Sequence, residues 1–183
     1  DDIKSLSCGF DLNALGKIYK TDKIEGHFYT AHYMAHFGKF KYRKLNLLEV
    51  GVGGYDNPNL GGNSLRMWKR YFPFGKIYGL DIYDKSKLQE NRIEIFKGSQ
   101  ADKKFLTEVT RKTGALDIII DDGSHINKHT IKTFQILFPQ LKDGGIYVIE
   151  DTQTSYWKNF GGTSKDLNDP STMLNYFKRL TDS

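Results

Sequence analysis

Five short runs of apolar residues recur along the chain, and stretches with helical spacing separate them. Apolar runs of this length, bounded by polar or glycine-rich segments, are typical of strands buried in a parallel sheet. They predict strands over residues 45–50, 76–81, 92–96, 116–121 and 146–149. Strands that alternate with helices in this way predict an α/β fold with a doubly wound, mostly parallel sheet and right-handed crossovers.

Apolar positions at helical spacing predict the elements that cover the sheet. Two helices, over residues 10–20 and 28–37, precede the first strand, and the polar turn Thr21-Asp22-Lys23 lies between them. We expect this pair of helices to cap an edge of the sheet. The chain would then consist of an N-terminal helical cap over residues 1–44 and a core over residues 45–183.

Residues at the predicted ends of helices and strands give more local expectations. Asn63 or Ser64 is expected to cap the helix after the first strand. Asp169 is expected to cap the last helix, with Pro170 in its first turn. The segment Asp143-Gly144-Gly145 is typical of a turn before the fifth strand.

Composition and charge restrict the number of domains, the cellular compartment and the kinds of partner that we expect for the chain. Its 183 residues suit one α/β domain. The 27 Lys and Arg residues against 22 Asp and Glu give a net charge of +5, but the basic residues are scattered, so no nucleic-acid partner is expected. Cys8 is the single cysteine, which fits a reducing, cytoplasmic compartment. No apolar run approaches bilayer length and residues 1–4 lack a signal-peptide pattern, so no membrane association is expected.

The fourth and fifth predicted strands each lead into a pair of acidic residues. Asp121 and Asp122 follow the fourth apolar run, and Glu150 and Asp151 follow the fifth. In a doubly wound sheet these strands lie side by side, and ligands bind at their carboxyl ends. Acids after strands more often cap helices or stay solvated, but three carboxylates at one spot repel one another unless a hard cation binds between them. We therefore predict that Asp122, Glu150 and Asp151 hold a divalent cation such as Mg²⁺.

His125 lies three residues beyond Asp122 and is a candidate general base. The alternative is a surface histidine that caps the next helix. The pairs His32 and His36, and His125 and His129, have the four-residue spacing of zinc ligands on a helix. Since no thiolate accompanies either pair, we do not expect zinc.

The glycines after the first strand indicate a cofactor site. Gly51 and Gly53 follow the first apolar run, and glycines there let the backbone approach a ligand closely. Asp81 ends the second strand, where an acid commonly accepts hydrogen bonds from ribose hydroxyls. Asp56 replaces the third glycine of a dinucleotide motif, which argues against a nicotinamide cofactor. A different nucleotide-type cofactor is therefore expected.

These motifs together resemble those of a known family. The resemblance lies in Thr21-Asp22-Lys23, in Asp81 at its strand end, and in segments 47–54, 61–65, 121–125, 147–151 and 154–157. Across residues 10–162 the chain resembles the metal-dependent sugar O-methyltransferases of macrolide and related antibiotic pathways. The resemblance implies a Rossmann-like class I methyltransferase sheet with S-adenosylmethionine and Mg²⁺ as cofactors. The implied acceptor is a hydroxyl in the vicinal diol of a sugar, on a glycosylated small molecule.

The resemblance also implies roles for individual residues. It places a set of six around the S-adenosylmethionine: Gly51, Gly53, Ser64, Asp81, Gln100 and Asp121. It matches Asp122, Glu150 and Asp151 to magnesium ligands, and His125 to the general base. Ser99 departs from the family, in which many members carry an acid before the glutamine.

The carboxyl end of the chain also departs from the family. The sequence ends after a helix predicted over residues 170–182, whereas the class I methyltransferase sheet finishes with an antiparallel strand pair. We therefore expect a C-terminally truncated core, with the fifth strand as an edge. Such a chain is expected to work as a homo-oligomer or within a larger multidomain protein.

Two alternatives to sugar methylation stay open. One is a methyltransferase that acts on RNA or another small molecule, and steep salt dependence of binding would indicate RNA. The other is a methyltransferase-like docking domain without activity, which a failure to bind S-adenosylmethionine would favour. The complete set of acids with His125 argues for an enzyme.

Overall fold

A computed structural model of the chain describes residues 11–24 and 27–181. Its helices are α1 (Leu12–Tyr19), α2 (Tyr29–Phe37), α3 (Asn63–Tyr71), α4 (Lys103–Thr113), α5 (Asn127–Leu137) and α6 (Met173–Thr181). Its strands are β1 (Asn46–Val50), β2 (Lys76–Asp81), β3 (Ile93–Lys97), β4 (Leu116–Asp121) and β5 (Leu141–Ile149). Short 3₁₀ helices lie at Gly38–Phe40, Ser86–Leu88, Phe138–Gln140, Thr152–Tyr156 and Lys158–Phe160.

The strands of the described residues form one parallel sheet in the order β3-β2-β1-β4-β5. This order confirms the predicted doubly wound α/β topology. The central strands are mostly apolar, which fits a sheet that helices cover on both faces. The strand order reverses between β1 and β4, and ligands bind at such a switch point in open α/β sheets.

The register aligns the carboxyl ends of neighbouring strands. Val50 of β1 pairs with Asp121 of β4, which in turn pairs with Ile149 of β5. The next residues along β4 and β5 are Asp122 and Glu150, which therefore leave the sheet side by side. The sequence motifs after β1, β4 and β5 thus meet at one edge.

The two faces of the sheet bury separate hydrophobic clusters. On one face, Leu12 of α1 and Phe37 of α2 pack with Trp68 of α3 against the strands. Helices α4 and α5 cover the other face. The described residues of the predicted cap therefore share a core with the sheet. The division into residues 1–44 and 45–183 stays a prediction.

Strand β5 begins earlier than the sequence indicated. It starts at Leu141 instead of Ile146, so the turn predicted at Asp143-Gly144-Gly145 is wrong. These residues are accommodated by an irregularity in the register opposite Leu116 and Ile118 of β4. Gly144 and Gly145 have a sequence typical of a turn, but in the structure they belong to a bulge within β5.

The start of α3 also differs from the expectation. Its cap is Gly62, which has φ +71° and provides no side-chain hydrogen bond, so Asn63 and Ser64 lie inside the helix. The left-handed conformation that ends the preceding loop explains the choice of glycine at this position. Ser64 consequently lies in the first turn of the helix.

Helix α6 begins at Met173, later than the predicted start at Pro170. The carboxylate of Asp169 accepts a hydrogen bond from the backbone N–H of Ser171 and closes a turn. The backbone N–H of Met173 then donates to the side chain of Asn127 in α5 at 2.7 Å. A contact with another helix therefore sets the start of α6.

Within the described part of the chain, β5 has a neighbouring strand, β4, on one side only. This agrees with the expected edge position. No described helix has both the length and the apolar character needed to cross a bilayer.

Candidate functional site

A cavity of about 950 Å³ opens at the carboxyl ends of the strands, around the switch point. Its lining includes most of the residues that the sequence singled out: Gly51, Gly53, Ser64, Asp81, Gln100, Asp122, His125 and Asp151. Asp121 and Glu150 are not among the lining residues and lie behind the wall. The cavity thus has a glycine-rich side after β1 and β2 and an acidic side after β4 and β5.

The backbone after β1 approaches its neighbours so closely that a side chain would not fit. Gly51 has φ +92°, and a Cβ atom there would lie 2.1 Å from the carbonyl oxygen of Asp122. Gly53 has φ +78°, and its nearest neighbour would be 4.0 Å away, so only its conformation favours glycine. Gly51 is therefore the position at which the two sides of the cavity touch.

Asp81 is held at the glycine-rich side by backbone donors. Its Oδ2 atom accepts from the N–H of Val52 at 2.9 Å, and its Oδ1 atom accepts from the N–H of Tyr83 at 2.9 Å. These bonds fix the carboxylate beside the loop after β1. Each oxygen has a further lone pair, so Asp81 can accept additional hydrogen bonds from a ligand in the cavity.

Gln100 is a buried link between β4 and α5. Its Nε2 atom donates to Asp121 Oδ1 at 3.1 Å and to Thr133 Oγ1 at 3.1 Å, and its Oε1 atom accepts from the Ser124 N–H at 2.7 Å. Burial raises the pKa of Asp121 to about 7. Gln100 reaches the cavity wall, whereas Asp121 supports that wall from behind, and a cofactor contact by Asp121 stays a prediction.

Asp122, His125 and Asp151 come together on the acidic side. One possible ligand atom from each lies within 4.8 Å of the other two. The Nε2 atom of His125 is 3.8 Å from Asp122 Oδ1 and 3.7 Å from Asp151 Oδ2. His125 and Asp151 both have left-handed backbones, with φ +54° and +52°. Such strained non-glycine residues concentrate at functional sites, where the surrounding structure holds them.

Glu150, the third predicted metal ligand, is buried and is not part of this group. Its Oε1 atom accepts from Lys23 Nζ at 2.7 Å and also from the hydroxyl of Tyr33. Burial raises the pKa of Glu150 to about 8, although the contact with Lys23 lowers it. The contacts of Glu150 with Lys23 and Tyr33 use Oε1 and do not involve its second oxygen, Oε2.

Lys23 is a fully buried lysine behind the acidic side. Its Nζ atom donates to Asp122 Oδ2 at 2.6 Å and is 3.2 Å from Glu49 Oε1. Burial alone would lower the pKa of Lys23, but Glu49, Asp122 and Glu150 raise it well above its usual value. Glu49 Oε2 accepts from the indole N–H of Trp68 at 3.0 Å. Burial raises the pKa of Glu49 to about 7.

The N-terminal helices also hold Asp151. Its Oδ1 atom accepts from the hydroxyl of Tyr29 at 2.9 Å and lies 3.3 Å from Nδ1 of His27. Burial alone would raise the pKa of Asp151, but the hydrogen bonds from Tyr29 and Gln153 and the nearby histidines together lower it. As with Asp122, one oxygen is fixed by a donor and the other faces His125.

Sequence reasoning missed these supporting residues. The sequence pattern predicts a polar turn at Lys23 and a helix over residues 28–37, which contains Tyr29 and Tyr33, and it indicates no role in the site for these side chains. The signal that could have found Lys23 was its presence in the Thr21-Asp22-Lys23 segment of the resemblance. Nothing in the spacing of the tyrosines indicates that their hydroxyls reach carboxylates after β5.

Comparisons with known proteins identify relatives along nearly the whole chain, although no protein-family model matches it. The chain is 48% identical over 174 residues to the mycinamicin VI 2''-O-methyltransferase of Micromonospora griseorubida, covering 94% of this chain and 44% of that protein. It is 47% identical over 171 residues to the 8-demethyl-8-alpha-L-rhamnosyl tetracenomycin-C 2'-O-methyltransferase of Streptomyces olivaceus, covering 93% and 45%.

The fold agrees with the same group. A solved structure of the methyltransferase from the mycinamycin biosynthetic pathway, in complex with Mg, SAH and mycinamycin VI, matches with a TM-score of 0.92 and 47% identity. The match covers 96% of this chain and 49% of that one. The chain therefore spans about half the length of the relatives it matches. These findings confirm the resemblance: the chain is a homologue of the sugar O-methyltransferases of macrolide and tetracenomycin biosynthesis, and it has their class I methyltransferase fold.

Proposed function

We propose that the chain is the methyl-transferring part of a Mg²⁺- and S-adenosylmethionine-dependent O-methyltransferase, and that it acts on a hydroxyl in the vicinal diol of a sugar. The observation that carries the proposal is the meeting of Asp122, His125 and Asp151 beside the glycine-lined cavity. The names of the similar relatives support the choice of a glycosylated acceptor in antibiotic biosynthesis.

The glycine-rich side has the features needed for the cofactor. Gly51 and Gly53 leave their backbone exposed to the cavity, and Asp81 has acceptor capacity left for ribose hydroxyls. Ser64 and Gln100 line the same space. When bound there, S-adenosylmethionine would supply a methyl group already activated by the positive charge on its sulfur. The residues of this side therefore bind and orient, while proton transfer is left to the acidic side.

The donor set of the acidic side fits magnesium, which prefers carboxylate oxygens and keeps positions open for other oxygen ligands. Asp122 and Asp151 each direct one oxygen toward His125. Asp122, Asp151 and the second oxygen of Glu150 would hold the ion. When bound, it would supply positive charge that lowers the pKa of a sugar hydroxyl. Soft metals are disfavoured, since no thiolate is present among these residues.

His125 would act as the general base of the reaction. Its Nε2 atom faces the carboxylates of Asp122 and Asp151, which would stabilise the imidazolium that forms when it accepts the hydroxyl proton. The proton would move to Nε2 as the hydroxyl oxygen forms its bond to the methyl carbon, and the bond between that carbon and the sulfur of the cofactor would break, so that S-adenosylhomocysteine would leave. A base held in place typically contributes a factor of about 10²–10⁴ in rate.

The type of acceptor is proposed from the same chemistry, and the cellular compartment from the composition. A vicinal diol offers two neighbouring oxygens, which fixes one of them in line with the methyl group better than an isolated alcohol would. We place the reaction in the cytoplasm, because the single cysteine suits a reducing compartment. We also propose that the chain works as a homo-oligomer or within a larger multidomain protein.

The test is a methyl-transfer assay with a sugar diol acceptor, with Mg²⁺ present and after chelation. We expect activity that depends on Mg²⁺ and that Asp122→Asn abolishes. Binding of S-adenosylhomocysteine (SAH), measured by calorimetry, is the control, and the Asp122→Asn variant should still bind it. Methyl transfer that continues after chelation in Asp122→Asn would contradict the proposed function.

A further inference from the structure

The ammonium of Lys23 lies among several carboxylate oxygens, which are the ligand atoms of a typical cation site. Its Nζ atom is 2.6 Å from Asp122, 2.7 Å from Glu150 and 3.2 Å from Glu49. These carboxylates come from the ends of three neighbouring strands, β1, β4 and β5. Lys23 is 1% exposed, so its charge is separated from solvent. Several carboxylate oxygens that converge on one buried positive charge would suit a metal ion equally well.

The carboxylate of Asp122 divides this cluster into two halves. The inner half consists of the oxygens that contact Lys23: Glu49 Oε1, Asp122 Oδ2 and Glu150 Oε1. The outer half consists of Asp122 Oδ1 and Asp151 Oδ2, which face His125. A carboxylate placed between two adjacent cation positions is typical of two-metal sites, whose ions lie about 3.5–4 Å apart.

We infer that Lys23 is the resident cation of the inner half, and that it thereby restricts the cluster to a single divalent ion in the outer half. This inference rests on the proposed function, which places Mg²⁺ on the carboxylates beside His125. A second divalent ion would have to displace an ammonium that three carboxylates hold. Lys23 is thus a positioning residue: it fixes one oxygen of Asp122 and of Glu150, so that their remaining oxygens stay available.

The charges of the cluster support this role. Four carboxylates, those of Glu49, Asp122, Glu150 and Asp151, lie within it, and one divalent ion neutralises two of them. The ammonium of Lys23 neutralises a third without occupying a position in the cavity, since Lys23 is not a lining residue. A lysine replaces a second metal ion in this arrangement and leaves the open side of the cavity to the acceptor.

The test counts bound Mn²⁺ per chain by electron paramagnetic resonance in the unaltered protein and in Lys23→Ser. We expect the serine variant to bind one more ion than the unaltered protein, because the shortened side chain vacates the inner half. Since Asp122 would lie between the two ions, their spectrum should show spin coupling. Equal counts in the two proteins would overturn the inference.

Two further variants separate the loss of charge from the loss of volume. Lys23→Met keeps the length of the side chain without its charge and should admit no extra ion. Lys85→Ser is the matched control, because Lys85 is also fully buried but its ammonium contacts the backbone oxygens of Asn57 and Leu60, at 2.7 and 3.0 Å. It should keep the count of the unaltered protein. An extra ion in Lys85→Ser or Lys23→Met would also overturn the inference.

The same counts distinguish this inference from the proposed function. An unaltered protein that binds no Mn²⁺ contradicts the metal site of the proposed function. The inference is decided separately, by the difference of one ion between Lys23→Ser and the unaltered protein. The two failures can therefore be told apart: a lack of bound Mn²⁺ in the unaltered protein contradicts the proposed function, whereas bound Mn²⁺ with equal counts in the two proteins contradicts only the inference.

A measurement on the unaltered protein covers the case in which Lys23→Ser does not fold. In protein labelled with ¹⁵N-lysine, the buried ammonium of Lys23 should give a slowly exchanging nuclear magnetic resonance signal. We expect this signal to persist and to shift when Mg²⁺ saturates the site, while the signal of Lys85 shifts less. A Lys23 signal that disappears on addition of Mg²⁺, or that does not shift, would overturn the inference.

Discussion

The two sides of the cavity are built in different ways. On the glycine-rich side the contacts join residues that are closer in sequence: Asp81 accepts from the backbone N–H of Val52, 29 residues away. On the acidic side they are distant: Lys23 reaches Asp122 across 99 residues and Tyr29 reaches Asp151 across 122. The first side depends on backbone conformation near one strand, whereas the second depends on the N-terminal helices packing against the sheet.

The two sides also differ in how the negative charge of their carboxylates is compensated. Asp81 is held by neutral N–H groups and stays open to the cavity. Glu49 and Glu150 are buried, which raises the pKa of each, and they depend on Lys23 for compensation. Removal of one partner from a buried group of charges costs more than removal of an exposed hydrogen bond. We expect substitutions on the glycine-rich side to affect cofactor binding, and substitutions on the acidic side to affect metal binding and proton transfer.

The largest effect is expected for His125→Ala, on the acidic side. If His125 is the general base, as proposed, the rate of methyl transfer to a sugar diol should fall by about 10²–10⁴. The proposed SAH site lies on the other side, so the affinity for SAH should stay unchanged. Initial rates and calorimetry measure the two quantities, and His36→Ala on an exposed face of α2 is the control. A variant that loses SAH affinity in proportion to rate would show that the two sides are not separate.

A smaller effect is expected at Gly51, where the two sides touch. Gly51→Ala should lower the free energy of unfolding by about 2–5 kcal/mol, because its Cβ atom would collide with the Asp122 carbonyl in a left-handed backbone. Gly53→Ala has a similar φ without the collision, so it should cost only about 1–2 kcal/mol. Urea unfolding of both variants checks the difference. Equal losses would mean that conformation alone explains the glycine at position 51.

The strands show how far a local pattern predicts this fold. The boundaries of β2 and β4 follow directly from their apolar runs. β5 begins earlier than predicted because a glycine pair in the sequence has the same appearance in a turn and in a bulge, and only the pairing with β4 distinguishes them. The start of α6 was missed for a related reason, since the side chain of Asn127 fixes it from another helix.

The candidate site also combines residues that a local sequence pattern identifies with residues that such a pattern does not identify. The strand-end acids and the glycines could be identified from the sequence, because each directly follows an apolar run. The partners of the acids could not, because Lys23 and Tyr29 precede the first strand and meet Asp122 and Asp151 only in the folded chain. A tyrosine on an apolar helix face indicates burial of the ring and does not indicate what its hydroxyl contacts.

Asp81→Ala tests the glycine-rich side by itself. Loss of its carboxylate should weaken SAH binding by about 10- to 100-fold, which corresponds to the usual contribution of hydrogen bonds to a charged group. Mn²⁺ affinity should not change, because Asp81 is not among the residues proposed to hold the metal ion. Calorimetric titrations with SAH and with Mn²⁺ give both values. Asp84→Ala removes an exposed acid three residues later and serves as the control. Weakened Mn²⁺ binding in Asp81→Ala would contradict the separation of the two sides.

The smallest effect is expected for Tyr29→Phe, which removes one hydroxyl from the acidic side and leaves the ring in place. The hydrogen bond to Asp151 Oδ1 orients this carboxylate from behind, and partners of metal ligands tune metal affinity. Water can partly replace the hydroxyl because Tyr29 is only half-buried, so Mn²⁺ affinity should fall by about 2- to 10-fold, within the range of a single hydrogen bond. Tyr176→Phe, which removes a hydroxyl that contacts Gln135 on the surface, is the matched control and should leave Mn²⁺ affinity unchanged. If Tyr29→Phe instead altered SAH binding and left Mn²⁺ binding intact, the N-terminal helices would have to be assigned to the cofactor side.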